Sequence, residues 1–314
     1  MMIITGTNGN QRSKKLTKKI LIIGASGLVG STVANYASKN HDLYLVNNKT
    51  DFSLHNFPVS NIDLIQNRSG ILSIIKDYKP DFVVHTVAYP SVDFCESNKQ
   101  MADLLHVQIT DDIAKACNKI GSRIIYFSTD SVFDGKLSRK YTENDLPNPI
   151  NHYGKTKLNA EKTLLENCTN IILRTTVIYG WHTKSRFTNW VINSLKNFQE
   201  VPAFTDQFNT PTLVDDLAKA ILQIFSKDMF GLFNTVGSTC LSRYQFALKL
   251  AEKFNLDKDL IIPTSSVEKK QIAPRPSNGC LDNSKFQNDM GFKFSDIDTG
   301  IDFIYEQSKK QILL

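Results

Sequence analysis

The sequence predicts an α/β fold, a doubly wound parallel sheet followed by a small C-terminal cap. Three observations carry this prediction. Short β-rich apolar runs alternate with stretches of helical spacing from residue 20 to residue 180, the pattern of a parallel sheet covered on both faces. The run "GASGLVG" places Gly24, Gly27 and Gly30 between the first strand and the first helix. Beyond Gly180 the alternation gives way to short strands, helices and a Pro- and Ser-rich stretch over 263–280.

Taken in order, Ile20 to Ile23 is the first strand, and "DLYLVNN" over 42–48 is the second. Residues 69–78 have helical spacing, and "DFVVHTVA" over 81–88 is apolar enough for a strand buried on both faces. A helix over 99–119 leads to the strand "RIIYFSTD" at 123–130, a helix opening at "NHYGKTKLNAEKTL", and a strand within 170–180. Later come a helix near 186–198, a strand at 201–204, a helix that Asp215 and Asp216 open favourably for its dipole, a strand at 232–236 and a helix at 242–254. This divides the chain into a flexible basic tail over 1–19, a dinucleotide-binding unit over 20–180, and a cap over 181–314 with 205–235 returning to the sheet.

Composition narrows the function classes. The 314 residues are 41% hydrophobic and 22% charged, as in an ordinary globular protein long enough for a sizeable core. The net charge of +6 forms no basic stripe with interleaved aromatics, so nucleic acid is not an expected partner. No apolar run of about 18 residues suggests a membrane span, and the polar start, with Lys14, Lys15, Lys18 and Lys19, lacks the apolar core of a signal peptide. The five cysteines are scattered without a C-x-x-C pair, so reduced thiols and a cytoplasmic location are expected.

The glycines let the backbone turn tightly and bring a pyrophosphate to a helix N-terminus, where free N–H groups and the dipole favour anions. Folds of this type that prefer NAD carry an acid at the end of the second strand, on the ribose 2′-hydroxyl. Here "LVNNKT" offers Asn47, Asn48 and Lys49, which suits NADPH, with NADH still open. Lys49 reads equally well as a solvated loop residue. "FSTDSVFDGK" sets Ser128, Thr129 and Asp130 at the carboxyl end of a strand, where such sheets bind ligands. Tyr153 and Lys157 lie one helical turn apart and share a face.

Together "GASGLVG", "STDSVFDG", "YGKTKLNAEK" and "RPSNGCLDNSK" resemble the extended short-chain dehydrogenase/reductases, and within them the dTDP-4-dehydrorhamnose reductase branch, from about residue 20 to 308. The resemblance implies a Rossmann-type fold with a substrate-binding cap and reduction of a nucleotide-linked 4-keto-6-deoxy sugar by NADPH. Thr129 stands 24 residues before Tyr153, fitting the family's Thr–Tyr–Lys triad with Lys157. Tyr153 is then the proton donor; Lys157 and the oxidised nicotinamide lower the phenol's value from about 10, and Lys157 holds the ribose; Thr129 bonds the substrate oxygen. The implied cofactor contacts are the turn and helix start (Gly24, Ser26, Gly27, Leu28, Val29, Gly30), then Asn47 and Lys49, then Asp63 and Leu64 near the adenine. Val87, Ala88 and Tyr89 follow beside the nicotinamide, with Tyr153 and Lys157. Asp63 reads equally as a loop cap. Val92, Asp93, Thr129 and Asp130 are the implied sugar contacts.

Departures qualify the substrate. Ser131 replaces a family tyrosine, no tryptophan stands at or next to Val177, and Gln108 stands where many members have an asparagine. Trp181 is read mainly as packing. Thr32 occupies the place of the acid with which some members bind magnesium, so no metal is expected. His85 is expected in the core, and His152 and His182 receive no role. The resemblance leaves a homodimer open. A reductase or epimerase of another nucleotide sugar, and a non-catalytic regulatory subunit of methionine adenosyltransferase type, are the alternative readings.

Overall fold

The computed structural model describes residues 17–310 apart from 51 and 55. The expected basic tail lies outside the described residues up to position 16. Its last residue, Lys19, already belongs to a strand.

The chain runs β1 (Lys19–Ile23), α1 (Leu28–Ala37), β2 (Asp42–Asn47), β3 (Val59–Asn61), α2 (Arg68–Tyr78), β4 (Phe82–His85), α3 (Val92–Ser97) and α4 (Lys99–Asp103). A π-helical turn, Leu104–Gln108, leads into α5 (Ile109–Ile120), β5 (Arg123–Thr129), α6 (His152–Leu165), β6 (Ile171–Thr175), β7 (Ile178–Tyr179), α7 (Arg186–Lys196) and β8 (Val201–Phe204). Then come β9 (Phe208–Asn209), β10 (Thr212–Leu213), α8 (Val214–Ile224), β11 (Gly231–Asn234), β12 (Leu241–Ser242), α9 (Arg243–Lys253), β13 (Ile261–Thr264), β14 (Asn278–Gly279), α10 (Ser284–Met290) and α11 (Ile297–Lys309).

Among the described residues, seven parallel strands form the central sheet in the order β11-β6-β5-β4-β1-β2-β3. This is the doubly wound arrangement expected. Period-2 alternation explains its two apolar faces. In β1, Ile20 and Ile22 join the layer with α1 and α8, while Leu21 and Ile23 join that of α2, α5 and α6. Strand order reverses between β1 and β4, which opens a crevice at their carboxyl ends. A third core, from Tyr179 and Val191 to Ile304, packs β8, α7, α9 and α11 beside it.

Reduced cysteines were expected throughout, but Cys240 and Cys280 form a disulfide with their Cα atoms 5.6 Å apart. Strand register, rather than sequence spacing, brings them together. β12 and β14 flank β9, with Leu241 and Gly279 both paired to Asn209, so the two cysteines stand level with each other one residue on. Cys95 and Cys117 are buried free thiols, and Cys168 is exposed.

The helix that opens at "NHYGKTKL" is fixed from below. Glu161 of α6 accepts two bonds from Arg174 of β6, at 2.9 and 2.7 Å, and both side chains are buried. Arg174→Met should destabilise the protein by about 3 kcal/mol or more in urea unfolding, because it strands a buried carboxylate. Adding Glu161→Leu should recover most of that loss; a single variant within ~1 kcal/mol of wild type would contradict the clamp.

Candidate active site

Two adjoining depressions open on the crevice side of the sheet. The first, of about 430 Å³, is lined by Gly24, Ser26 and Gly27 of the turn, Asn47 and Asn48 after β2, Asp63 and Leu64, and Val87, Ala88 and Tyr89 after β4. The second, of about 1210 Å³, is lined by Gly27, Leu28, Val29, Val92, Thr129, Asp130, Tyr153 and Lys157. The structure therefore gathers most residues singled out in the sequence. Gly30 lies inside α1, where a Cβ would stand 2.2 Å from the Gly24 carbonyl oxygen, so its role is to let the turn close on the helix. Lys49 lines neither depression. Asp93 also stays outside both; its carboxylate pairs with Arg275 at 3.0 Å and accepts the Ala273 N–H.

The first depression fits a nicotinamide dinucleotide. α1 starts at Gly27 without a side-chain cap, leaving its first N–H groups for an anion. Asn47 is buried and its Oδ1 has no partner, while its Nδ2 donates to the Phe52 carbonyl. A ribose hydroxyl would satisfy that orphaned acceptor.

In the second depression Asn151 caps α6 by accepting the Gly154 N–H. A Cβ on Gly154 would meet the Ser131 carbonyl oxygen at 2.0 Å, so only glycine lets the helix seat against the turn after β5. Tyr153 and Lys157 thereby enter the same buried space as Thr129. Thr129 Oγ1 donates to Asp130 Oδ1 at 2.9 Å and accepts the Ser131 N–H, and the phenol of Tyr153 also contacts it. Asp130 further accepts from Thr176 and from Asn209.

The electrostatics differ from the expectation that Lys157 lowers the phenol. Burial, with Asp130 nearby, pushes Tyr153 well above its ordinary value. Burial also brings Lys157 down from 10.5 to about 7, with Glu161 acting the other way. Its ammonium lies 3.9 Å from the centroid of the Tyr126 ring. Desolvation is the largest cause for both groups. Tyr153 accordingly keeps its proton.

Several residues in or beside these depressions carry no local sequence signal. His106, on the π-helical turn, is buried and held neutral by desolvation. Its Nε2 accepts the Tyr89 N–H, so Nδ1 carries the proton and donates to Thr156 Oγ1, which donates to the Tyr153 carbonyl. His106 thus ties the loop after β4 to the start of α6. Gln108 instead faces outward and accepts from Arg68. Trp190 lines the cavity, whereas Trp181 stacks on Phe254 in the third core. Val177 also lines it at φ +43°, a strained conformation for a β-branched residue. His85 is buried and brought down to about 3 by desolvation, and it bonds Thr110. His152 faces Asp103 at 3.3 Å.

Cationic groups dominate the charged lining of this cavity. Lys184, Arg186, Arg243 and Arg275 line it together with Lys157, and Asp130 is the acid among the lining residues. Burial lowers Arg243 to about 10, and its guanidinium lies over the Phe187 ring. Cationic groups beside Phe187, Trp190 and Phe204 suit a polyanion with a planar ring.

Comparison with known proteins agrees with this geometry. The family model described as RmlD substrate binding domain matches residues 18–309. The dTDP-4-dehydrorhamnose reductase of Aggregatibacter actinomycetemcomitans is 31% identical over 290 residues, covering 88% of this chain and 95% of that protein. Methionine adenosyltransferase 2 subunit beta of Xenopus laevis is 31% identical over 280 residues, covering 86% and 82%. The crystal structure of a hypothetical dTDP-4-dehydrorhamnose reductase from Sulfolobus tokodaii superposes with a TM-score of 0.79 at 31% identity, covering 89% of this chain and 98% of that one.

The buried ammonium yields a test of the site. A lysine whose value falls on folding destabilises the fold while charged. Here the penalty is full below about 7 and fades as pH climbs toward 10.5, where the unfolded chain also loses its proton. Lys157→Met should therefore raise Tm by ~2 °C or more at pH 6, with the gain shrinking toward pH 10. A lower Tm at pH 6 would show that Lys157 has a stabilising partner.

Proposed function

Because the chain belongs to the RmlD substrate binding domain family, we propose that it reduces the keto group of a nucleotide-linked 4-keto-6-deoxy sugar with NADPH, NADH being the weaker alternative. The observation that carries this reading is the opening of Tyr153, Thr129 and Lys157 into one cavity beside the glycine turn. The units fit it: 20–180 would hold the cofactor, and much of 181–314 the nucleotide sugar, with 205–235 completing the sheet.

When bound, the nicotinamide supplies the hydride. The chain's own residues then handle orientation and the proton. Gly24, Ser26, Gly27, Leu28 and Val29 would hold the pyrophosphate, Asp63 and Leu64 the adenosine side, and Val87, Ala88 and Tyr89 the nicotinamide side. Tyr153 gives its phenolic proton to the oxygen that was the ketone. Its raised value keeps that proton in place until alkoxide charge develops. The Lys157 ammonium, within the same buried space, stabilises the phenolate left behind. Thr129 donates to Asp130 and accepts the Ser131 N–H, so its remaining lone pair serves the phenol and then the new hydroxyl. Val92 and Asp130 would border the sugar, with Asp93 acting through Arg275. Arg186, Arg243 and Arg275 would receive the diphosphate.

Tyr153→Phe should lower the reduction rate by ~10²-fold or more, the usual scale for losing a general acid. The thermal shift on adding NADPH should stay unchanged, because the ring remains. Thr129→Val should reduce kcat more than it changes KM. NADPH consumption with dTDP-4-keto-6-deoxy sugars, then other nucleotide keto-sugars, measures both. Full activity in Tyr153→Phe would refute the proton-donor assignment. If wild type consumes NADPH with none of them yet binds it, the non-catalytic reading suggested by the adenosyltransferase subunit likeness takes over.

A further inference from the structure

The end of β2 leaves a recognition problem. Asn47 and Asn48 line the cofactor depression there, but neither brings a charge, and Lys49 lines neither depression. A cation does reach this place from far along the chain. Lys184, in the loop between β7 and α7, lines the cofactor depression, and its Nζ stands 3.4 Å from Thr50 Oγ1, three residues beyond the end of β2. Among the described residues, its ammonium pairs with no carboxylate.

The loop is built to hold that position. His182 is buried, and desolvation together with Lys184 keeps it neutral. Its Nδ1 accepts the Lys184 backbone N–H at 2.9 Å, which places the ring proton on Nε2. Nε2 donates to Ser31 Oγ at 3.1 Å, and Ser31 passes its own proton to the Gly27 carbonyl at 2.7 Å. This chain of bonds docks the loop onto the first turn of α1, beside the pyrophosphate turn. Asn189 braces it from the other side, donating to the carbonyls of His182 and Thr183.

We propose that Lys184, docked through His182, is the residue that recognises the 2′-phosphate of the cofactor. The proposal rests on the reading of the chain as a nicotinamide-dependent reductase and names how that site selects its cofactor. In a sheet of this topology the ribose 2′-oxygen projects at the end of β2, whereas the pyrophosphate lies at the glycine turn. A cation at Thr50 therefore meets the 2′ substituent. An ammonium with three donors suits a phosphate dianion, and a bare hydroxyl offers it no charge to pair with. Because Lys184 also borders the larger cavity, its loop spans the boundary between cofactor and substrate.

Calorimetric titration of the full chain with NADPH, NADH, 2′,5′-ADP and 5′-AMP tests this. Lys184 is exposed, so Lys184→Gln should fold as wild type does. It should weaken NADPH and 2′,5′-ADP roughly tenfold or more while leaving NADH and 5′-AMP within about twofold. Lys49→Gln should leave the preference in place. Equal weakening of NADPH and NADH by Lys184→Gln would assign the lysine to the pyrophosphate and overturn the proposal. So would an unchanged preference, or its loss in Lys49→Gln. Wild type binding NADH as tightly as NADPH overturns this proposal and spares the reductase reading; binding of neither dinucleotide overturns both.

Discussion

The buried pair of Glu161 and Arg174 sets the depth and rotation of α6 on the sheet, and the active site inherits both. Glu161 lies one turn beyond Lys157, so fixing its carboxylate on β6 also fixes the direction in which Lys157 and Tyr153 point. Arg174 in turn rests over the Phe133 ring at 5.0 Å, within the segment that follows Thr129 and Asp130. A buried ion pair is a poor source of stability against an apolar equivalent, but it tolerates little displacement. At the other end of the helix, the absence of a side chain on Gly154 allows contact with the Ser131 carbonyl. One end is held by charge and the other by steric fit.

That rigidity permits the electrostatic state of the site. A phenol, an ammonium and a carboxylate are drawn into one poorly hydrated space, where burial raises Tyr153 and Asp130 and lowers Lys157. Each group is pushed toward its neutral form. Asp130 is compensated by hydrogen bonds from Thr129, Thr176 and Asn209 rather than by a contacting cation. The cationic lining of the cavity is different, with the Arg243 guanidinium over the Phe187 ring. The buried cluster is thus suited to proton transfer and the cationic lining to holding an anion.

Much of this was legible in the sequence, because it rests on local signals. The glycine turn, the strands apolar on both faces and the Tyr153–Lys157 spacing each declare themselves within a few residues. β1, β2, β4 and β5 start within a residue of their expected positions. What the sequence did not show depends on register between distant segments. The two-residue strands β7, β9, β10, β12 and β14 exist through their partners, and the disulfide follows from two of them. His106 and His182 resemble any helix or loop histidine until their acceptors and donors are known. Lys49 was the natural candidate at the end of β2 because it is adjacent in sequence. Lys184 instead lines the cofactor depression there, through a bond to Thr50 spanning 134 residues. α10 supplies Phe286 and Met290 to the first core, a contribution invisible without the sheet it covers.

The position of β11 has a consequence for how the molecule is made. It is an edge strand of the central sheet, paired with β6, yet the 55 residues 176–230 lie between the end of one and the start of the other. α8, which covers α1, is itself part of that interval. A nascent chain that has emerged through β6 therefore presents an unpaired strand edge and an uncovered apolar face on α1. Neither is satisfied until the residues between have been synthesised and folded out of the way. High contact order of this kind slows folding and lengthens exposure to aggregation. The central sheet is consequently finished late in biogenesis, although most of its strands come first in the chain.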